Sequence, residues 1–296
     1  MNDYERLESI PIISEPITTC LIDGSITYNT DLVSKAEYAF TLPTPAGESP
    51  PFYLIRHREV PFWYIHFHGI DFLSADKNVD VGFTQTWYVL HMLGVEKILS
   101  GAAVGSLSEG MKPRDVVIIS DFIDLSSQRP RSILLEIWNK SPYLGGEFVP
   151  PVCEELSTIM HQIFKQYPNG KTHNNCTLAQ FEGHRFETPA EIKMAQKISA
   201  NVVAHHQASE AIYSRELGIH FCAIAYVSNI AAGLKKNWGK SFVTDEEAKT
   251  DYEELTNMML DGIVSITESK MSCKSCLQNE DYKLVENYST LKNVFR

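Results

Sequence analysis

The sequence predicts an α/β fold: one domain with a mixed central β-sheet flanked by helices. Three observations carry that expectation. Stretches with strand character alternate with stretches of helical periodicity along most of the 296 residues. The composition, 44% hydrophobic and 21% charged, is that of an ordinary globular chain with enough length for one large domain. No repeat, low-complexity tract or convincing linker divides it, and a Pro-rich stretch at 41–51 comes too early to separate two viable domains.

The elements follow in order. Residues 1–17 read as a polar leader with no apolar signal core. TTCLIDGSITYN (18–29) is a short strand running into a Gly turn, and TLPTPAGESPP (41–51) is a loop. FWYIHFHG (62–69) is aromatic, alternating and stopped by Gly, hence a strand. FTQTWYVLHMLG (83–94) has helical spacing and a Gly C-cap. VEKILSGAAVGSL (95–107) reads as a buried strand that breaks into a small-residue loop, and RDVVIISDFIDL (114–125) as a further strand. CEELSTIMHQIFKQYP (153–168) is an amphipathic helix. TPAEIKMAQKISA (188–200) opens with the Thr-Pro and Glu signature of a helix N-terminus. NVVAHH (201–206) is a strand, SEAIYSRELG (209–218) a helix, HFCAIAYVSN (220–229) a strand, and 245–269 a long amphipathic helix. The domain is expected over 18–270, with 271–296 as a C-terminal tail.

Composition narrows function. No stretch approaches ~20 uninterrupted apolar residues, so no membrane span is expected. The net charge of −11 argues against a nucleic-acid partner but leaves room for a small anion in a locally positive pocket. Six scattered cysteines point to a reducing compartment, here the cytoplasm. Cys273 and Cys276 form a lone CKSC, readable as a redox pair or half a zinc site. No second CxxC or paired-His module accompanies it, so a solvent-side pair is expected and no metal is assigned.

Ligands of α/β sheets sit at the carboxyl ends of strands. The chemistry-bearing loops there are DGSI (23–26), HFHG (66–69), SGAAVGS (100–106), GHRFE (183–187), AHHQ (204–207) and SNIAAG (228–233). Small Gly/Ser loops let backbone N–H groups approach an anion, and a histidine nearby can donate to it. A Glu and an Asn on one ligand edge fit a 6-oxopurine: the carboxylate accepts from a ring N–H and the amide bridges O6 and N7. Neither standard nucleotide loop, GxGxxG or GxxxxGK[ST], is present.

Four motifs, in order, carry a resemblance: AAVGSLSEGMKPRDVVIISDFIDLSSQRPRS (102–132), EGHRFETPAE (182–191), VVAHHQASEAIYSRELGI (202–219) and AIAYVSNIAAG (223–233). Together, from about residue 20 to about 265, they resemble the purine nucleoside phosphorylase and methylthioadenosine phosphorylase superfamily. Members acting on adenine nucleosides carry Asp at the base-edge position; those acting on 6-oxopurines carry Asn there, usually with Glu in the RFE segment. Asn229 and Glu187 are therefore similar to the 6-oxopurine kind, and SNIAAG is close to the methylthioinosine-type members. The resemblance implies that Glu187 and Asn229 hold the base, Phe186 packs on it, and His205 faces the ribose. Gly24, Ser25, His66, His68, Ala102 and His206 line the phosphate side, with Asn229, His68 and His206 as the catalytic set. It further implies a homotrimer, a nucleoside and phosphate as the ligands, and no cofactor beyond phosphate as co-substrate.

The chain departs from the family pattern on the phosphate side. The Gly after Ser25 is Ile26, the strand-end Arg is replaced by His66 or Phe67 depending on register, Ala102 or Ala103 stands where many relatives have Thr, and the ribose Met with its following Ser/Thr is His205–His206. The Pro of EGPRF is His184. A bidentate Arg is not equivalent to an imidazole at a phosphate site. Three readings stay open here: phosphorolysis with a rebuilt histidine site, a hydrolase whose histidines activate water or hold a metal, and a non-catalytic purine-binding paralogue. Glu210, four residues after His206, either orients an imidazole or is an ordinary first-turn charge.

Overall fold

The structure is a computed structural model that describes residues 5–9, 11, 15–23, 25–27, 30–66, 82–127, 129, 131–140, 147–183, 185–234 and 242–277. Its strands are β1 (Glu5–Arg6), β2 (Thr19–Asp23), β3 (Tyr38–Thr41), β4 (Pro43–Thr44), β5 (Gly47–Glu48), β6 (Phe52–His57), β7 (Val60–His66), β8 (Lys97–Ser106), β9 (Val116–Asp124), β10 (Thr172–Gln180), β11 (Val202–Ala204) and β12 (His220–Ile230). The helices are α1 (Phe83–Leu93), α2 (Ile133–Trp138), α3 (Glu154–Phe164), α4 (Pro189–Lys197), α5 (Gln207–Glu216) and α6 (Asp245–Glu268).

Ten strands form one mixed sheet in the order β1-β3-β6-β7-β2-β8-β11-β10-β9-β12. Because β12 also pairs with β8, the second half of the sheet closes on itself. Side chains alternate between its two faces. Cys20, Ile22, Trp63, Ile65 and Ile98 pack toward Phe83, Trp87 and Leu90 of α1 and Tyr213 of α5. Leu21, Tyr64, Leu99 and Ile224 pack toward Leu156, Met160 and Phe164 of α3 and Leu255, Met259 and Ile263 of α6. A third, smaller cluster seats Ile192 and Ala195 of α4 on Leu107, Ala179 and Val203. The helix starts follow from local chemistry: Thr188 and Thr244 each close a capping box with Glu191 and Glu247, and Gly94 ends α1 in the left-handed region.

The expected α/β class is therefore what the chain adopts, with local corrections and additions. The Pro-rich stretch 41–51 folds back as the β4–β5 hairpin. FYLIRH (52–57) and THNNCTLAQ (172–180) are strands, the second one polar at its start because it meets solvent there before entering the core. Residues 133–138 form a one-and-a-half-turn helix capped by Ser132. Most consequentially, SGAAVGS does not break into a loop. It stays in β8 because its small residues let neighbouring elements approach: a Cβ on Gly101 would stand 2.6 Å from Asp23 Oδ2. Within the stretch read as a leader, Glu5–Arg6 pairs with Phe40–Thr41.

Candidate active site

β8 organises the site by dividing one of its edges. Along its full length it pairs with β12, from Lys97 opposite His220 to Ser106 opposite Ile230. On its other edge, β2 takes Lys97–Ser100 and β11 takes Gly105 and Ser106. Among the described residues no strand pairs with Gly101–Val104 on that edge. The alternate backbone groups facing that way thus have no ladder partner and border a gap between the ends of β2 and β11. Ala102 lies buried in this stretch.

On the β2 side of the gap, Asp23 ends the strand opposite His66, the last residue of β7. Its Oδ1 accepts from Ser25 N at 3.0 Å and Ile26 N at 3.1 Å, an Asx-type turn that presents Ser25, half-buried, at the strand end. Gly24, Phe67, His68 and His184 lie outside the described residues.

On the β11 side, the strand ends at Ala204, so His205 and His206 belong to the connection, with His206 at the N-cap of α5. The His206 ring stacks on Phe83 at 6.3 Å. A buried arginine that the sequence reading missed, Arg129, fixes this corner. Its Nη1 donates to the His205 carbonyl and its Nη2 to the Glu182 carbonyl at 2.7 Å, while its guanidinium lies 5.3 Å from the Phe83 ring centre. The signal available was its place in SQRPRS, inside the first motif quoted above. Gln180 does similar work: its Oε1 accepts from Ala208 N and Ser209 N at the start of α5, and its Nε2 donates to Ser209 Oγ and Asp124 Oδ1. Gly183, at φ +97°, lies against the same corner: a Cβ built there would stand 3.5 Å from the His205 ring.

The segment after Gly183 delivers Glu187. Its side chain is buried, 7% exposed, and Oε1 has no hydrogen-bond partner among the described residues. Oε1 stands 3.8 Å from His205 Nδ1. Burial, followed by the charge of Glu191, pushes the Glu187 carboxyl above its ordinary range. Its neighbours are locked outside: Arg185 donates to both oxygens of Glu191 at 2.8 Å, which holds that carboxyl down at about 2. Asn229, 8% exposed, sits near the end of β12 at a register shift against β8. Its Oδ1 accepts from Ser228 Oγ at 2.8 Å and its Nδ2 donates to the Ile230 carbonyl at 3.1 Å. Phe242 pairs with Asn229 across the strand end and meets Phe186 edge-on at 6.5 Å. Phe186 itself is 70% exposed, so it stands at the rim of the site.

Glu210 stands in the first turn of α5 but is fully buried and accepts from Ser100 Oγ, tying the helix to β8. One expectation needs correction. The CKSC cysteines are not a solvent-side pair: Cys276 is buried, and both face Cys153 and His220. Those partners lie 120 and 53 residues away from Cys273, beyond the reach of a spacing rule.

The sequence profile of the Phosphorylase superfamily matches residues 78–264. The 6-oxopurine nucleoside phosphorylase of Pyrococcus furiosus is 31% identical over 270 residues, spanning 87% of this chain and 97% of that protein. A probable 6-oxopurine nucleoside phosphorylase of Dictyoglomus turgidum is 37% identical over 157 residues, 53% of this chain and 58% of that protein. A probable S-methyl-5′-thioinosine phosphorylase of Methanothermobacter thermautotrophicus is 29% identical over 266 residues, 88% of this chain and 89% of its own length. The fold is shared with the crystal structure of a methylthioadenosine phosphorylase sourced from an antarctic soil metagenomic library, at a TM-score of 0.73, 22% identity, and coverage of 88% of this chain and 90% of that one. With the profile covering more than half of the sequence and the Pyrococcus protein aligned almost end to end, this chain belongs to the Phosphorylase superfamily.

Proposed function

We propose that this protein cleaves the N-glycosidic bond of 6-oxopurine nucleosides, 5′-modified ones such as methylthioinosine included, by transferring the pentose to phosphate. The observation that carries the reading is Glu187. A buried carboxylate oxygen without a hydrogen bond is costly, and each such group in a native protein calls for a specific reason, a bound donor among them. A purine N–H supplies the missing donor. The names of the Pyrococcus and Dictyoglomus relatives support the same substrate class.

In this reading phosphate attacks C1′ as the C1′–N9 bond breaks, and the bond pair leaves with the purine. Positive charge builds on the sugar and negative charge on the base. Asn229, at O6 and N7, gains strength as that charge develops and so lowers the barrier. Glu187 holds the ring N–H, His205 faces the ribose, and Phe186 covers the base from the rim. Ser25, the open β8 edge at Ala102, His66 and His206 receive the phosphate, joined by Gly24 and His68 from outside the described residues. Holding the anion beside C1′ supplies the remaining advantage as effective concentration. The acting unit is a cytoplasmic homotrimer that needs no cofactor beyond phosphate; the family resemblance supports the trimer, and six unpaired cysteines suit a reducing compartment.

The deciding assay follows hypoxanthine release from inosine and 5′-methylthioinosine, with and without phosphate. Release that requires phosphate is the expected result. Release independent of phosphate would make the protein a hydrolase, and hypoxanthine binding without release from either substrate would overturn the catalytic reading.

A further inference from the structure

Cys153, His220, Cys273 and Cys276 converge from three separate parts of the chain. Cys153 stands at the N-cap of α3, His220 opens β12, and after α6 Cys273 precedes and Cys276 lies within a 3-10 turn (Ser275–Leu277). All four ligand atoms lie within 4.8 Å of one another. Two of the three sulfur–sulfur edges are 3.6 Å for Cys153 Sγ to Cys273 Sγ and 3.4 Å for Cys273 Sγ to Cys276 Sγ. His220 Nδ1 is 3.5 Å from Cys153 Sγ and 3.3 Å from Cys273 Sγ. A tetrahedron with zinc–sulfur bonds of about 2.3 Å and a zinc–nitrogen bond of about 2.0–2.1 Å has sulfur–sulfur edges of about 3.8 Å and sulfur–nitrogen edges of about 3.5 Å. The side chains therefore already stand close to the corners of such a tetrahedron.

We propose that these four residues bind a zinc ion as a closed structural Cys3His site that staples the C-terminal segment to α3 and β12. Three soft thiolates with one imidazole, and no fifth ligand among the described residues, suit tetrahedral zinc rather than a redox or hard oxygen-seeking metal. The surroundings are built for it. Zinc with three thiolates carries one net negative charge, and Lys97 lies within electrostatic range of Cys153. Lys97 Nζ also donates to the Ile266, Thr267 and Ser269 carbonyls, which anchors the end of α6 just before the cysteines. The segment itself is positioned by non-metal contacts: Glu155 accepts from Ser272 N and Oγ, and the buried Arg215 donates to the Ser275 carbonyl. These outer contacts orient the ligands in the way metal sites use a supporting shell. The site is distinct from the proposed nucleoside site and shares no residue with it.

The test uses the full-length chain, made without a polyhistidine tag and kept under reducing conditions. Metal analysis should give about one zinc per chain, released in step with titration of three thiols by a mercurial. After removal of zinc, added cobalt(II) should develop the visible d–d bands of a tetrahedral thiolate site. Cys276→Ser should lower bound zinc at least fivefold, and zinc removal should lower the Tm of the wild type by about 5 °C or more. His220→Ala, which leaves the C-terminal cysteines intact, should abolish the cobalt spectrum of a three-sulfur, one-nitrogen site even if residual metal stays bound. A chain with fully reduced thiols that contains no zinc and gives no cobalt bands would overturn the proposal. So would an intact mass two hydrogens lighter under the same conditions, with peptide mapping that places the disulfide between Cys273 and Cys276.

Discussion

Glu187 Oε1 stands 3.8 Å from His205 Nδ1, although one residue comes from the β10–α4 connection and the other from the end of β11. The pair joins the proposed base-holding and ribose-facing sides, and Glu187 carries a charge that burial opposes. Glu187→Gln keeps the shape but loses the charged acceptor. It should lower kcat/KM for inosine by roughly 10- to 100-fold, the range for a hydrogen bond to a charged group, while leaving Tm equal or higher, since a buried charge is removed. The pH profile gives a sharper readout. Only the carboxylate accepts from the base, and its pKa is raised, so wild-type kcat/KM should fall on acidification at a pH above the usual carboxylate range. The Gln variant should lack that limb. An unchanged limb in Glu187→Gln would remove Glu187 from the base site.

Arg129 is a positioning residue in the same corner. Its guanidinium satisfies the carbonyls of His205 and Glu182 and packs over Phe83. Arg129→Met keeps the buried stem but leaves both carbonyls without that donor. Loss of about 2–4 kcal/mol in urea unfolding is expected, with kcat/KM reduced because His205 is no longer held. Arg129→Lys supplies one point donor in place of a fork, so it should recover part of the stability and little of the activity.

Gly101 tests the other side of the gap. A methyl group there would meet Asp23 Oδ2 at 2.6 Å and Met259 Cε at 3.1 Å. Asp23 must then move, which releases the amides of Ser25 and Ile26. Gly101→Ala should raise the KM for phosphate more than the KM for inosine. Equal effects on both would mean that the turn at Ser25 does not bind the anion.

Much of this architecture was legible in the sequence because short-range chemistry dictates it. Thr188 and Glu191 form the capping box their spacing predicts, Gly94 terminates α1, and β12 follows its apolar run. The misses share one cause: the deciding partner is distant in sequence. SGAAVGS looks like a loop until Asp23 explains why β8 needs Gly101. Glu210 looks like an ordinary first-turn charge until Ser100 is placed against it. Cys273 and Cys276 look like an isolated pair because Cys153 and His220 arrive from other elements. Glu187 and Asn229, by contrast, were found because each lies inside a contiguous motif, although only the structure shows that both are buried.

His91 supplies a test of stability that does not depend on the active site. It lies in the last turn of α1, its ring 5.7 Å from Trp138 and edge-on to it. Burial disfavours the imidazolium and pulls its pKa down to about 4. In the unfolded chain the same ring titrates near its ordinary value of about 6.5. Below that pH the unfolded state takes up a proton that the folded state resists. The contribution is therefore complete above about pH 6.5 and drains away as the pH falls toward about 4, amounting to about 3 kcal/mol in all. Other groups titrate over the same window, so the comparison must be made between variants. His91→Leu should be less sensitive than the wild type to a change from pH 7.5 to pH 4.5 in urea unfolding, with the gap between them shifting by about 2–3 kcal/mol in favour of the variant. A constant gap across that range would mean that the imidazole is hydrated or paired when protonated, and that α1 is not anchored against Trp138 by a neutral ring.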